Sequence, residues 1–582
     1  MQTIDKLPNF LKKYCSTQDM SKYTARDHAA WRYIMRRAVP FFREHAVHVY
    51  EDGLTKTGIP TDRIPSIDFM DESLQKIGWG AVPVCGFIAP WAFLEFQARQ
   101  ILPIATDMRT IDHIGYTPAP DIVHEAAGHA PILPDSEYAE YLEAYGKFCT
   151  KAIYSNEDIR LYEAVRYLSD IKEKHGSTAE EIAKAEQNLK VTISNSTFTS
   201  EQGRVSRMSW WTNEYGLVGD LKDPKIYGAG LLSSIEESKA LYGDHVKKVR
   251  LSLDCTKQSF DITKPQPQLF VAEDMQHIIQ VLYELESTLA FRVGGLSSLN
   301  LAHEAKTVTT TIFDSGVGVS GIVDKIMLDD RGELEYVAWK DQVQLSREGQ
   351  VISGQGIKRH PHGYSCPLGP IKGLSKAPSA ITAADLEALS IEKGRPGVIE
   401  YKSGFKLEGE LTNIGLKPNT QEIQFLSFKN CKVTKGDDLF YNPAWGEFDL
   451  IFGENVPSVH GGPADRESYG EPELSEVSTT PGREVPYTKA ETEAFGLYQS
   501  LRDYRDQENS SVDDLAPIAK ALQSSHKDEW LAKLELVEIV NKAGGAAKPG
   551  WYQDVAKSLE EDAKDGSEPT RSLIAQGLAL AN

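Results

Sequence analysis

Apolar residues recur every three or four positions through the first half of the chain. The segments HAAWRYIMRRAVPFFREHAVHVY, DIRLYEAVRYLSDIKEKHG and MQHIIQVLYELESTLAF all show this spacing. A repeat of that length places apolar side chains on one face of an α-helix. We therefore predict that residues 1–305 are mainly α-helical, with the proline-rich and glycine-rich stretches between the helices forming loops.

From residue 306 to residue 455, apolar and polar residues alternate instead. Runs such as ELEYVAWK, EIQFLSFKN and FDLIF are separated by the turn-like stretches DDRG, KPNT and NPAWG. Alternation with a period of two is typical of β-strands. We also predict an internal duplication, because GVGVSGIVDKIML, beginning at Gly316, matches GFKLEGELTNIGL, beginning at Gly404, at an offset of 88 residues.

The segment at Gly316 also contains the pattern G-x-G-x-x-G. This pattern indicates a dinucleotide site only between a strand and a helix, where the helix N-terminus faces a pyrophosphate. A strand-like run follows it here. We interpret the glycines as kinks in a strand.

Residues 456–485 are polar and rich in proline, glycine and serine, which predicts a linker. After it, TEAFGLYQSLRDYRD and HKDEWLAKLELVEIVNKA return to helical spacing, so we predict a small helical region at 486–582. A chain of 582 residues is too long for a single core. The sequence therefore predicts a multidomain protein with a helical, a β-rich and a second helical part.

Composition narrows the classes of partner. The chain is 41% hydrophobic and 25% charged, as in folded globular proteins, and its formal net charge is −21. A strongly acidic chain is a poor partner for nucleic acid or an anionic membrane. Without a long apolar run or a secretory signal, we expect a cytoplasmic protein, and we expect its six cysteines to be reduced and not to bind metal. The oligomeric state is left open.

The stretch PAPDIVHEAAGHAPIL, Pro118 to Leu133, has the residue types of a metal site. The zinc-protease pattern H-E-x-x-H would need a histidine at position 128, and Gly128 has no side chain to offer, so that class is excluded. On a regular α-helix His129 would point about 140° away from His124. Both can bind one ion only if the helix is locally distorted, which Gly128 would permit, and if a third ligand comes from elsewhere.

Two imidazoles and one carboxylate on one face of an octahedron form the arrangement that binds non-haem Fe(II). The alternative for this segment alone is a pair of surface histidines on a helix broken by glycine. Two imidazoles with no identified third ligand do not decide between these possibilities.

Three strings together carry a resemblance to a known family. MRTIDHIGYTPAPDIVHEAAGHAPIL, WWTNEYGL and YGAGLLSS, in this order, resemble the pterin-dependent aromatic amino acid hydroxylases, most closely the phenylalanine hydroxylases. The resemblance covers roughly residues 20 to 300. It implies a mainly α-helical aromatic amino acid hydroxylase catalytic domain at 1–305. Together with the patterns of the remaining residues, this predicts that domain followed by a β-rich duplicated module at 306–455 and a small helical C-terminal unit.

The resemblance implies three groups of site residues. The iron ligands would be His124, His129 and Glu214, which with Glu125 are the expected catalytic residues. The residues expected to bind the amino acid, directly or by supporting a ligand, are Arg109, Thr117, Pro120, Trp210 and Ser233. The residues expected to contact the pterin are Gly86, Ile88, Phe93 and Glu125.

Two of these assignments have explicit alternatives. The planar guanidinium of Arg109 suits a bidentate clamp on the substrate carboxylate. The alternative is that Arg109 is an ordinary surface arginine. Phe93 would stack on the pterin, and the alternative is a core residue of an amphipathic helix. The sequence departs from the family pattern at Ala119, where a glutamate is usual, and at Ser209, where many members have a tyrosine.

The implied reaction is hydroxylation of L-phenylalanine to L-tyrosine with O2, Fe(II) and tetrahydrobiopterin or a related tetrahydropterin. In FDITKPQPQLFVAE, Ile262 falls where phenylalanine hydroxylases have an aliphatic residue and tyrosine hydroxylases an aspartate, so the resemblance favours phenylalanine over tyrosine as substrate. Tryptophan or tyrosine hydroxylation stays open, as does a non-catalytic amino-acid-binding or scaffold protein that acts through its C-terminal part. The stretch RHPHGYSCPLG, with His360, His362 and Cys366, is interpreted as an ordinary loop rather than as a second metal site.

Overall fold

A computed structural model describes most of the chain. The described residues are 2–115, 120–173, 176–262, 265–470, 486–507, 511–543 and 548–581. Within these ranges, no helix combines the length and the apolar character that crossing a bilayer requires.

The first 305 residues are mainly helical, as the spacing of their apolar residues predicts. The α-helices are α1 (Asn9–Lys12), α2 (Ala25–His45), α3 (Tyr50–Lys56), α4 (Ile67–Leu74), α5 (Pro90–Gln97), α6 (Ser136–Cys149), α7 (Asn156–Glu173), α8 (Ala179–Ser194), α9 (Glu201–Ser209), α10 (Ala229–Leu232), α11 (Ile235–Ala240), α12 (Met275–Ser287), α13 (Ala290–Val293) and α14 (Gly295–Ala305). Two short segments are π-helices, π1 (Val123–His129) and π2 (Trp210–Glu214).

Short strands and 3-10 turns connect these helices. Strands β1 (Gly80–Val84) and β2 (Ile101–Ala105) pair in parallel. A second sheet has the order β4-β3-β6-β5 and consists of β3 (Leu217–Gly219), β4 (Pro224–Ile226), β5 (Lys247–Arg250) and β6 (Gln268–Ala272). The 3-10 turns of the chain are Thr3–Lys6, Met20–Lys22, Gln75–Ile77, Ile111–His113, Ala130–Ile132, Leu253–Lys257, Pro378–Ala380, Pro443–Trp445 and Val512–Leu515.

Two antiparallel sheets follow α14. Their strands are β7 (Val308–Ile312), β8 (Val317–Leu328), β9 (Leu334–Arg347), β10 (Gln350–Val351), β11 (Tyr364–Pro367), β12 (Pro396–Glu400), β13 (Phe405–Leu416), β14 (Ile423–Lys435), β15 (Asp438–Tyr441), β16 (Phe448–Leu450) and β17 (Ser458–Gly461), with the helices α15 (Ala383–Ala388) and α16 (Arg466–Tyr469). One sheet has the order β10-β9-β8-β7-β17 with β11 on β9, and the other β12-β13-β14-β15 with β16 on β14. Both sheets bury side chains in one shared core.

The hairpins β8–β9 and β13–β14 have the same local irregularities. The bounds of β13 are those of β8 shifted by 88 residues. Strand pairing breaks register at Gly321 in β8 and at Gly409 in β13, and two further breaks follow in each strand at the same spacing. Asp341 in β9 and Asn430 in β14 both have a left-handed backbone, with φ of 61° and 50°.

The three glycines of the G-x-G-x-x-G pattern lie at and within a strand, as predicted. Gly316 has φ of 79° in the turn between β7 and β8, and Gly318 and Gly321 are in β8. The pattern leads into a strand and not into a helix, so it lacks the helix N-terminus that would face a phosphate.

The predicted linker begins too early. Residues 456–470 contain β17, which pairs antiparallel with β7 from Ser458 opposite Ile312 to Gly461 opposite Thr309, and they also contain α16. β17 has only four residues, with Val459 and Gly461 buried. This is too short for an alternating pattern to stand out among polar neighbours. Residues 471–485 lie outside the described part of the chain.

The C-terminal helices pack against the first half of the chain. They are α17 (Lys489–Asp506), α18 (Ala516–Ser524), α19 (Trp530–Lys542), α20 (Gly550–Asp565) and α21 (Thr570–Ala581). Their apolar residues belong to the same core as α2. The Tyr33 hydroxyl in α2 donates to the Leu573 carbonyl at 2.6 Å, and Arg32 is paired with Glu535 in α19. The helices are where the sequence predicts them, but they do not have a core of their own.

Candidate active site

The π1 helix brings the two histidines of the metal-type motif together. A π-helix closes its hydrogen bonds between residues five apart, so such residues lie one turn apart on the same side. His124 and His129 are five apart, and their ring centroids are 5.1 Å from each other. The local distortion that the sequence analysis requires is therefore confirmed, and it takes the form of a wide turn.

Gly128 has a different role from the predicted one. Its φ is not in the left-handed region, so the wide turn does not depend on the backbone freedom of glycine. A Cβ at this position would lie 2.7 Å from the Ala229 carbonyl oxygen and 3.0 Å from the Ala229 Cβ. Gly128 thus allows π1 to lie directly against α10, which is followed by Ser233.

Glu214 supplies the third donor from the end of π2. Its Oε2 lies 3.2 Å from His124 Nε2, and its Oε1 lies 3.3 Å from His129 Nε2. The three donor atoms all lie within 4.8 Å of one another. Burial alone would raise the pKa of the Glu214 carboxyl, but the two imidazoles hold it below its ordinary value. Among the described residues, this is the only group of three or more His, Cys, Asp or Glu side chains that could hold a metal ion.

The donor set fits a divalent iron ion. Within the described part of the chain, neither ring nitrogen of the buried His129 has a hydrogen-bonding partner, although Nε2 faces the carboxylate. A buried imidazole that makes no hydrogen bond is costly, and a cation bound by Nε2 together with the nearby Glu214 carboxylate would remove that cost. The other histidine is oriented by Ser233, whose hydroxyl lies 3.1 Å from His124 Nδ1 and leaves Nε2 directed at Glu214.

Glu125 is a buried carboxyl beside this group. Burial raises its pKa to about 8, and the charges of Glu214 and Asp121 add to that effect while His129 opposes it. Its Oε2 has no hydrogen-bonding partner among the described residues. Glu125 lines the same cleft as the donor triad without belonging to it.

Arg109 is paired within the protein. Its Nε and Nη2 donate to the two carboxylate oxygens of Asp121 at 2.8 Å each, and its Nη1 donates to the Ser233 carbonyl at 3.0 Å. The bidentate contact that the sequence analysis assigned to a substrate is made here by Asp121. Asp121 also accepts from the His124 backbone N–H at 3.0 Å, so it ties the arginine to the first donor.

A cleft opens beside the donor triad. Four of the residues assigned to cofactor or substrate by resemblance line it, together with the triad and Glu125: Gly86, Ile88, Phe93 and Pro120. Phe93 is on α5, with its ring centroid 6.4 Å from that of His129. Its ring packs at the edge of a small core cluster, so it is both a cleft residue and a packing residue.

Three predicted residues are not in the cleft wall as described. Trp210 stacks on Phe260 with centroids 4.3 Å apart, which places its ring in a contact within the protein. Arg109 donates to the Ser233 carbonyl, and the Ser233 hydroxyl contacts the His124 ring, so both residues make contacts within the protein. Thr117 lies outside the described residues, as does Ala119.

One polar side of the cleft was not predicted from the sequence. Gln202, Ser206 and Ser209 of α9 all line it. Their spacing of four and then three residues puts them on one helical face, which was the available signal. Ser209 was noted only as a departure from the family pattern. Asp121 was also missed, although it belongs to the PAPD string that precedes the first histidine.

Comparisons with known proteins identify the family of the chain. The family model "Biopterin-dependent aromatic amino acid hydroxylase" matches residues 5–168 and 178–331, and residues 169–177, which include the end of α7, lie outside the match. The phenylalanine-4-hydroxylase of Pseudomonas aeruginosa is 27% identical over 264 residues, which are 45% of this chain and 84% of that protein. A probable aromatic amino acid hydroxylase of Chlamydia pneumoniae is 29% identical over 277 residues, which are 47% of this chain and 68% of that protein.

Solved structures of the phenylalanine hydroxylase of Chromobacterium violaceum also match. The form with bound oxidized Fe(III) is 24% identical, with a TM-score of 0.37, over 47% of this chain and 86% of that one. The family match covers more than half of the present chain and includes π1, π2 and every donor of the triad. The chain belongs to the biopterin-dependent aromatic amino acid hydroxylases.

Proposed function

We propose that the protein is a phenylalanine 4-monooxygenase that converts L-phenylalanine to L-tyrosine with O2 and a tetrahydropterin at a mononuclear Fe(II) site. We assign this activity to residues 1–305. The observation that carries the proposal is the convergence of His124 Nε2, His129 Nε2 and the Glu214 carboxylate at the wall of a cleft. We choose phenylalanine as the proposed substrate because relatives such as that of Pseudomonas aeruginosa are named phenylalanine-4-hydroxylases.

The three donors would hold the iron through one face and leave the other positions open. When bound, Fe(II) with a tetrahydropterin supplies the activation of O2 for transfer of an oxygen atom to an aromatic ring. The protein's part is to fix the donors before the metal arrives. Ser233 orients the His124 ring, and the packing of Gly128 on Ala229 fixes the His129 side of π1.

The pterin would lie in the part of the cleft bounded by Gly86, Ile88 and Phe93. An aromatic ring on α5 offers a flat apolar face for stacking. Glu125 is the polar group on that side, and its Oε2 is available for a hydrogen bond to the heterocycle. Through these contacts the cofactor would be held in the same cleft as the donor triad, without taking the place of any of the three protein donors.

The amino acid would be recognised by two residues close to the histidines, Arg109 and Pro120. Arg109 uses three of its five N–H groups on Asp121 and Ser233, which leaves one on each terminal nitrogen for a carboxylate. Asp121 holds the guanidinium in one orientation, so the remaining donors point in a fixed direction. Pro120 supplies apolar surface for the ring of the substrate.

We further infer that the hairpins β8–β9 and β13–β14 are two copies of one ancestral unit. The shared bounds, the three matching register breaks and the left-handed residues Asp341 and Asn430 support this. Bulges are retained features of a fold rather than accidents of packing, so their coincidence carries more weight than the faint sequence match.

The function is tested by incubating the full-length protein with Fe(II), tetrahydrobiopterin, O2 and each of the three aromatic amino acids. We expect tyrosine from phenylalanine, dependent on both iron and pterin, and far less product from tryptophan or tyrosine. A Glu214→Gln variant is the matched control and should form no product. Stable iron binding without any hydroxylated product would instead favour a non-catalytic amino-acid-binding protein.

A further inference from the structure

The helical hairpin formed by α7 and α8 touches the loop at residues 85–89. This loop connects β1 to α5 and lines the cleft with Gly86, Phe87 and Ile88. Tyr162 and Asp170 of α7 are eight residues apart, which puts them on the same helical face. A Cβ on Gly86 would lie 3.5 Å from the Asp170 carboxylate, and Tyr162 packs on Phe87. One face of α7 therefore follows the outer side of the loop.

Tyr162 makes the specific contact. Its hydroxyl donates to the Phe87 carbonyl oxygen at 3.0 Å. Its ring lies 5.7 Å from that of Phe87 and 5.6 Å from that of Trp91, centroid to centroid, and the residue is only 4% exposed. Burial raises the pKa of the phenol to about 12 although Arg166 beside it has the opposite effect, so the hydroxyl keeps its proton at neutral pH.

The loop is held from the other side as well. Gly86 has a left-handed backbone with φ of 63°, and its N–H donates to the Asp107 carboxylate at 3.2 Å. The peptide groups on both sides of this turn thus have one fixed partner each: Asp107 for the N–H of Gly86, and Tyr162 for the carbonyl of Phe87. While both contacts are present, the loop has one backbone conformation, and its side chains face the cleft in one arrangement.

The hairpin is anchored beside α9, a second element that lines the cleft. It leaves the body of the protein after Ile153 and returns at α9, whose Gln202 and Ser206 line the cleft. The Gln202 N–H donates to the Ile153 carbonyl at 3.1 Å, and the Glu201 carboxylate accepts from the N–H groups of Ile153 and Ala290 at 2.9 and 2.6 Å. The hairpin therefore starts from a fixed base beside α9 and contacts the 85–89 loop through α7.

We propose that Tyr162 is a positioning residue for the cofactor: it fixes the 85–89 loop in the shape that binds the tetrahydropterin, and so sets the affinity for the pterin and not for the amino acid. This inference rests on the function proposed above. A hydrogen bond to a backbone carbonyl selects one loop conformation, and its loss lowers apparent affinity by the fraction of molecules that leave that conformation.

The test compares Tyr162→Phe with the wild-type full-length protein. Phenylalanine keeps the ring packing on Phe87 and Trp91 and removes only the hydroxyl. We expect the KM for tetrahydrobiopterin to rise about three- to tenfold, the effect of one net hydrogen bond, while the KM for phenylalanine changes by less than about twofold. The dissociation constant of 7,8-dihydrobiopterin with the iron-loaded protein, measured by calorimetry, should rise by the same factor without any turnover.

Tyr33→Phe is the matched control. Tyr33 is also 4% exposed and also donates to a backbone carbonyl, that of Leu573, but it lies on α2. It should leave both pterin measurements unchanged. Tyr162→Leu, which removes the ring as well, should have a larger effect on the pterin measurements than Tyr162→Phe.

Three results would count against these ideas in different ways. Pterin constants within about twofold of wild type in both Tyr162 variants would overturn the inference. An equal rise in the KM values for pterin and amino acid would also overturn it, because the loop would then have only a general structural role. A wild-type protein that binds iron but neither binds pterin nor forms tyrosine would overturn the proposed function itself.

Discussion

Glu214 is the single side chain on which the candidate iron site depends most. It carries the negative charge of the donor triad, and the two imidazoles hold its pKa below the ordinary value. Glu214→Gln keeps the shape and removes the charge. Since changes in groups that merely support a ligand already cost about 10- to 100-fold in metal affinity, we expect this variant to lose at least about 100-fold in iron affinity. Metal analysis after gel filtration measures the loss, and unchanged circular dichroism shows that the fold is retained.

Asp121 is the residue whose removal should most affect stability near the site. It is the buried partner of Arg109, and Asp121→Asn would leave a buried guanidinium without its countercharge. Breaking a buried pair in this way costs about 3–5 kcal/mol. Chemical denaturation should show a loss of that order. Glu392→Gln, which breaks the exposed pair between Arg395 and Glu392, is the control and should cost less than about 1 kcal/mol.

The donor set could be proposed from sequence because each donor lies in a short string that resembles a known family, whereas spacing alone suggested only the two histidines. His124 and His129 share one segment, and Glu214 follows the WW pair in a second one. The partner of Arg109 was not predictable in the same way. The fork that suits a substrate carboxylate equally suits Asp121, and only the folded chain decides which carboxylate occupies it.

At the scale of elements, the contact between π1 and α10 is a close one. Gly128→Ala would bring a methyl group to 2.7 Å from the Ala229 carbonyl, which is backbone and cannot simply turn away. We expect a loss of about 1–3 kcal/mol in stability, together with weaker iron binding because α10 leads into Ser233. Thermal unfolding and iron titration measure the two effects.

Gly496→Ala provides the comparison for this substitution. Gly496 lies within α17, and a Cβ there would meet nothing within 4 Å. In a helix interior alanine is favoured over glycine by up to about 1 kcal/mol, so this variant should be as stable as wild type or more so. Equal destabilisation by both variants would show that the close approach at Gly128 is not the cause.

Most elements follow from periodicity, and the exceptions have a physical reason. The long helices and the strands β8, β9, β13 and β14 have enough residues for their repeat to be visible. The π-helices cannot be recognised in this way. One additional residue in a turn shifts the spacing of apolar residues by less than that spacing varies within ordinary α-helices. β17 was missed because it has four residues and only two of them are buried.

At the scale of the whole molecule, the C-terminal helices are part of the core that contains α2. A chain shortened to residues 1–485 would expose Tyr33 and the apolar surface around it and would leave Arg32 without Glu535. We expect the shortened protein to aggregate, or to unfold more than about 5 °C lower, since a loss of a few kcal/mol produces such a shift. Size-exclusion chromatography and differential scanning calorimetry measure this. A shortened chain with an unchanged Tm would contradict the shared core.

Acid should weaken the fold in a defined range of pH. Burial lowers the pKa of His28 to about 4, with nearby arginines adding to the effect, and burial lowers that of His360 to about 4 as well. The ordinary value is 6.5, so the unfolded chain takes up these protons first as the pH falls. Stability is therefore full above pH 6.5 and is lost progressively from there towards pH 4.

The two histidines can be tested separately. His28 Nδ1 accepts a hydrogen bond from the Ile64 N–H at 3.1 Å, which requires an unprotonated nitrogen. His28→Gln and His360→Gln should each reduce the slope of Tm against pH between 6.5 and 4. Equal slopes in the wild type and both variants would assign the acid sensitivity to other groups.

The sequence did not indicate how its three parts share cores. Each helix of the C-terminal region has an apolar face, but nothing in a local pattern says which distant helix will cover it. The contact of Tyr33 with Leu573 joins residues 540 positions apart. Such pairings depend on the shape of the folded chain and are beyond what spacing and composition can predict.

The wide turn at π1 differs from an ordinary one by a single residue. Deletion of Ala127 would change HEAAGH to HEAGH, which is the H-E-x-x-H spelling of a zinc peptidase. Its histidines would then be one α-helical turn apart, with the same glutamate between them. Two unrelated metal chemistries, oxygen insertion and peptide hydrolysis, are thus only one codon apart in this segment, and the breadth of a helical turn is what separates them.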